Sequence, residues 1–224
     1  MRLHSSMRLL IASMIVLGLA PSVSSRSAAG SAFGALTTAA PQGHGAANVG
    51  FGVGLADATS FTGTLTYGLS QYMDGRLRLG LIDPDGGDTE FTFGADFKWQ
   101  FWNAAPESTH PFDFAVGGLL EYADFVYSSV FQIGGHLIAS YPIALDKGGS
   151  LVPYGRFNTR IESMSFDSPV VPPESSGDGD SDTNLEVGLN AGVQWICTPT
   201  TSLFGEIQLD GNDGLFLGVD FNIM

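Results

Sequence analysis

Five cations recur at alternate positions inside otherwise apolar runs: Arg76 and Arg78, Lys98, and Arg156 and Arg160. The carboxylates Asp96, Asp113, Glu121, Glu162, Glu186, Glu206 and Asp220 stand in the same phase, and so does His136. Charges of both signs in near balance, spaced two residues apart, suit two kinds of chemistry. They can neutralise one another as an enclosed ion-pair network, because an ion taken out of water without a partner costs several kcal/mol. Alternatively they can line a narrow polar path for ions or a small solute, with the five cations as its constriction.

Two further stretches carry carboxylates at alternate or near-alternate positions: Asp83, Asp85 and Asp88, and Asp178, Asp180 and Asp182. Oxygen ligands so spaced can surround a hard divalent cation such as calcium, but neither stretch follows the full calcium-loop pattern. Acidic connections of this kind are also ordinary solvated turns, so these residues are weak metal candidates and no cofactor is expected. Acid–base or nucleophilic catalysis needs a base held by a partner. His4 falls in the leader, His44 in the lead-in and His110 in a turn, and only His136 sits on a strand. A lone inward histidine reads as a network member, so an enzymatic role is the weakest reading. Cys197 is the single cysteine, so no intrachain disulfide can form.

The elements that must position these charges are strands. From residue 47 onward, bulky apolar side chains alternate with small or charged ones over roughly ten segments of about 8–12 residues each. In the last segment Leu215, Leu217, Val219, Phe221 and Ile223 interleave with Phe216, Gly218, Asp220 and Asn222. The apolar face carries the bulk; the other carries the charges and many glycines, among them Gly68, Gly80, Gly94, Gly117, Gly134, Gly188, Gly192 and Gly218. A water-soluble barrel would turn the apolar face inward. Here it is expected outward, in lipid, with the ionic face enclosed. The fold class is therefore all-β, a closed antiparallel transmembrane barrel of ten strands, with eight as the competing count.

The ends agree with export. Arg2 and Arg8 precede an apolar core over 9–20 and a small, polar exit at 22–25, the pattern of a signal peptide spanning 1–25. That core of about 12 residues is too short to span a bilayer as a helix. Residues 26–46 are rich in Ala, Ser and Gly without periodicity and read as a flexible lead-in, leaving 47–224 for the barrel. If the N-terminus lies on the periplasmic side, the connection over 167–183 is extracellular. Tyr72, Trp99, Phe101, Phe112, Tyr141, Trp195 and Phe221 then fall near one interface, and Phe61, Phe91, Tyr122 and Phe131 near the other, as aromatic belts do.

The formal net charge is −14, with 23 Asp and Glu against 9 Lys and Arg. The excess falls in connections and strand ends, which disfavours nucleic acid and other anionic partners. Taken together, the leader, the amphipathic strands and a strand reaching the chain end resemble bacterial outer-membrane β-barrel proteins. The resemblance is one of pattern, and Met224 stands where that family usually ends on an aromatic residue. It implies residence in the outer membrane of a Gram-negative cell, contact with outer-membrane lipid and a barrel-assembly partner. The leading functional expectation is a structural or surface-interaction barrel presenting acidic extracellular loops, with divalent cations as conceivable loop ligands. The second is a narrow passive channel or small-solute-binding barrel, and the third an outer-membrane enzyme.

Overall fold

The computed structural model describes residues 31–56, 58–84, 89–103, 112–125, 128–146, 148–166, 181–211 and 213–224. The expected leader, His110, Asp85, Asp88, Asp178, Asp180 and the connection over 167–180 lie outside the described residues. Among the described residues all regular elements are strands: β1 (Ala47–Leu55), β2 (Ala58–Gly68), β3 (Met73–Pro84), β4 (Glu90–Trp102), β5 (Asp113–Phe125), β6 (Ser128–Ser140), β7 (Ile143–Ala144), β8 (Ser150–Phe166), β9 (Ser181–Thr198), β10 (Thr201–Leu209) and β11 (Gly214–Asn222).

The long strands pair antiparallel with their chain neighbours, and two further ladders close the ring. One joins β1 to β11, from Asn48 opposite Asn222 to Leu55 opposite Leu215. The other joins β6 to β8, from Ser128 opposite Phe166 to Ser140 opposite Tyr154. Ten strands thus form one closed barrel, and β7 adds only a two-residue extension to β8. Closure leaves no sheet edge, which hydrocarbon demands because it offers no water to an orphaned N–H or C=O. The ten-strand expectation holds, and the eight-strand alternative does not.

Sidedness is inside-out. Along β3, Leu77 and Leu79 are 58% and 57% exposed, whereas Arg76 and Arg78 between and beside them are 6% and 2% exposed. The same alternation runs through β4, where Phe91, Phe97 and Trp99 face out and Thr92, Asp96 and Lys98 face in. One interruption matters. A register shift between Gln100 and Trp102 in the β4–β5 ladder lets two successive aromatics, Phe101 and Trp102, face outward together. A bulge of this kind adds a residue to one strand and re-aims the next side chain. Beside it a ring-to-ring chain runs around one end of the barrel: Trp99, Phe101, Phe114, Phe112 and Tyr141, with centroids 5.1–6.3 Å apart. That end, where β1 begins and β11 finishes, is called the base here; the opposite end is the rim. Exposed Phe61, Phe91 and Phe131 stand toward the rim. Aromatics at both ends of an apolar band are the arrangement favoured at two membrane interfaces.

Sequence reading expected a flexible lead-in over 26–46. The described part of it, residues 31–46, instead runs through the lumen from rim to base. Ala32 and Phe33 pack with Ile82 and Ala123 at the rim, and Ala39 packs with Ala115 and Ile138 nearer the base. Composition gave no hint of this, because the segment has no period of its own and its partners are supplied by distant strands.

Candidate functional site

The lumen is the chemically distinctive region, and cross-strand register builds it. Arg76 lies directly opposite Asp96 in the β3–β4 ladder, and Asp74 lies opposite Lys98. Arg76 donates from Nε and Nη2 to the two carboxylate oxygens of Asp96, each at 2.8 Å, a bidentate fork. Arg78 Nη2 reaches Asp96 Oδ2 and Glu121 Oε1, both at 3.1 Å, so that one carboxylate bridges two guanidinium groups. Lys98 Nζ stands 3.5 Å from Asp74. Further round the wall, Arg160 donates to Asp210 Oδ2 at 3.2 Å, to the Asp210 carbonyl at 2.6 Å and to Asn158 at 3.1 Å. Gln132, opposite Glu162 in register, donates to it at 2.9 Å.

Of the expected network, Arg76, Arg78, Asp96, Lys98, Asp113, Glu121, His136, Arg156, Arg160, Glu162 and Glu206 are all buried. Glu186, opposite Arg160 in register, and Asp220 are half-buried. The network is not one cluster: Arg76, Arg78, Asp96 and Glu121 form one linked group, Lys98 with Asp74 a second, and Arg160 with Asp210 a third. Arg156 sits between Ile138 and Asn190 in register, and its Nε and Nη1 have no partner among the described residues. His136 lies against Gly117, with neither ring nitrogen hydrogen-bonded to a described residue, so no base-and-orienter pair forms around it.

Asp74 and Asp210 escaped the sequence reading because they sit near or just past strand ends, where acids read as turn residues. Asp74 was recoverable, since it continues the two-residue phase of Arg76 and Arg78. Among the weak metal candidates, Asp83 and Asp182 are exposed at the rim ends of β3 and β9. Among the described residues, no group of three or more His, Cys, Asp or Glu is arranged to hold a metal.

The threaded segment is woven into these charges. Glu206 is its main anchor: one oxygen accepts from Ala35 N at 2.6 Å, the other from Leu36 N at 2.8 Å. The same carboxylate accepts from Tyr154 Oη at 2.5 Å and Asn190 Nδ2 at 2.8 Å. Lys98 Nζ donates to Thr37 Oγ1, the Thr38 carbonyl and the Ala40 carbonyl at 3.0, 2.7 and 2.9 Å. Arg76 Nη1 donates to the Ala35 carbonyl at 2.7 Å, and Gln208 to the Ser31 carbonyl at 2.9 Å. Ser31 Oγ donates to Glu121 at 2.8 Å, and Asp74 accepts from Gln42 N at 3.1 Å. A charged group bonded to a neutral one is worth about 1.5–3 kcal/mol, so several together hold a segment with no regular structure of its own.

Shape matches charge. A Cβ added at Gly80 or Gly94 would stand 3.0 Å from the Phe33 ring, and one added at Gly52 or Gly218 would stand 3.1 or 3.0 Å from Leu36. These inward glycines are sockets for two apolar side chains of the segment. The Phe33 ring also receives the Arg78 guanidinium at 4.7 Å from its centroid. Beside the segment, between Thr37, Arg76 and Asp220, lies a cavity of about 20 Å³. That is room for about one water molecule.

No family model matches the chain, and no curated protein matches it. Solved structures do. The N-terminal β-barrel domain of Pseudomonas aeruginosa OprF is similar over 81% of this chain and 100% of that one, at 13% identity and TM-score 0.41. KdgM porin is similar over 79% of this chain and 99% of that one, at 7% identity and TM-score 0.39. This chain is a closed antiparallel barrel of ten strands, and outer-membrane barrels are what it is similar to.

Proposed function

We propose that this protein is an integral outer-membrane barrel of structural or surface-interaction type, closed at rest by its own N-terminal segment and without enzymatic activity. The observation that carries this reading is the filling of the lumen by residues 31–42. A wall whose interior is occupied by ion pairs and a bonded segment offers no open solute path. The product is then the wall itself and the surface at its rim. The stretch that leads from β8 into β9 is acidic in sequence: Asp167, Glu174, Asp178, Asp180 and Asp182 stand in it with no Lys or Arg. If the rim is extracellular, it repels anionic partners and suits cationic ones or divalent ions.

Planar-bilayer recording on the purified intact protein tests the closed state. Predominant electrical silence is the expected result, in preparations whose unboiled and boiled gel mobilities differ as a folded barrel requires. A continuously open conductance in every insertion would overturn the structural reading in favour of a passive channel.

A further inference from the structure

We propose that residues 31–42 form a retractable gate, and that the barrel conducts small cations while the segment is withdrawn. This rests on the lumenal placement that closes the barrel at rest, and adds to it that the closure is reversible.

The mode of attachment supports withdrawal. Every hydrogen bond described between 31–42 and the wall uses a wall side chain, and the first backbone pairing with the wall comes at Gly45 and Gly68. Side-chain ties break one at a time, whereas a ladder bond lost in a membrane strand leaves its partner orphaned. A hinge stands at the base of the segment, where Gly43 and Gly45 have φ of 90° and 79°, conformations that glycine adopts without steric cost. Within the segment Leu36 has φ of 40°, a left-handed conformation that strains a branched side chain and is relieved when the segment leaves.

The wall supports conduction. Eight strands enclose about as much space as their inward side chains fill, so ten enclose more, and here the surplus is taken by the segment. Withdrawal empties the glycine sockets of Phe33 and Leu36 and strips Lys98 of three oxygen partners, leaving Asp74. The described lumen buries seven carboxylates against five cations, so the emptied path is net negative and favours cations. Residues 31–42 carry no charged side chain, so the opening frequency is expected to answer weakly to voltage.

The test compares locked, free and deleted segments in planar bilayers with potassium chloride. Ser140 Oγ lies 3.1 Å from Ala39 N, so an Ala39→Cys/Ser140→Cys pair in a Cys197→Ser background can staple the segment to β6. Expected are brief cation-selective openings in the reduced pair and their loss on oxidation. Deletion of residues 31–42 is expected to give a steady cation-selective conductance. A folded deletion variant that stays silent, or one that selects chloride, overturns the proposal. If the deletion variant does not fold, Lys98→Met and Glu206→Gln decide: an open fraction no higher than that of the intact protein, together with identical traces from oxidised and reduced pairs, overturns it. Continuous conduction by the intact protein would refute the closed-barrel reading, but the gate stands or falls on the difference between stapled and free segments.

Discussion

At the residue scale, the lumen separates charges that are tied from one that is less so. Asp96 is held by both Arg76 and Arg78, all three within a few per cent of full burial. Breaking a buried ion pair costs about 3–5 kcal/mol, and removing Arg76 takes the bidentate fork from Asp96 and leaves that carboxylate to Arg78 alone. Arg76→Met is therefore expected to lower the urea midpoint of the barrel in lipid vesicles far more than Arg156→Met, whose Nε and Nη1 bond to no described residue. Equal losses in the two variants would show that Arg156 is as firmly paired as Arg76. The glycine sockets admit a second measurement. Gly94→Val is expected to weaken the seating of Phe33, and Phe33→Ala on top of it to restore stability in part. A double-mutant cycle gives a coupling of about 0.5–3 kcal/mol if the two positions touch as described. The sequence reading placed Gly94 on the enclosed face among the other inward glycines. Its true occupant was illegible because Phe33 is 61 positions away, in a stretch without a pattern.

At the element scale, the strands answer to lipid on one face and to the segment on the other. Leu79, 57% exposed near the middle of β3, belongs to the hydrocarbon face. Leu79→Arg is expected to cost about 2–4 kcal/mol in vesicle refolding, while Gln100→Arg, on the lumenal face of β4, is not subject to that lipid penalty. The threaded segment depends on Glu206 and Lys98 more than on its own composition. Glu206→Gln cannot offer two carboxylate oxygens to Ala35 and Leu36, so a Thr37→Cys probe, in a Cys197→Ser background, is expected to react faster with a water-soluble maleimide in that variant. Unchanged labelling would mean that the apolar sockets alone hold the segment. The strands themselves were legible as alternating segments because alternation is a local signal, although β8 and β9, at 17 and 18 residues, run well past the expected length. The bulge at Gln100 and Trp102 was not, since it lives in the ladder between two strands.

At the scale of the whole molecule, one closed wall encloses one filled lumen. Bulk on the outside means that detergent or lipid must replace water around the band of Leu, Phe and Ile side chains. The protein is expected to partition with membranes and to precipitate when detergent is removed. A monomer that stays folded in plain buffer would contradict the sidedness. Closure also explains why the charges were legible as a group and not as pairs. The inward phase named most of the charged residues of the lumen, yet the registers of β3 with β4 and of β8 with β9 decided that Arg76 meets Asp96 and that Arg160 faces Glu186 while bonding Asp210.

Alternation of bulky and charged residues was enough to dictate the strands and the inside-out sidedness, because each follows from neighbours two positions apart, while the ladders of β1 with β11 and β6 with β8 decided ten strands over eight. The plug is another matter. Ala35 finds Glu206 across 171 positions, and Ser31 finds Gln208 across 177. An aperiodic run of Ala, Ser and Thr carries no trace of such partners. Only a closed wall, wider than its own side chains can fill and studded inside with glycine, gives that run a place to bind.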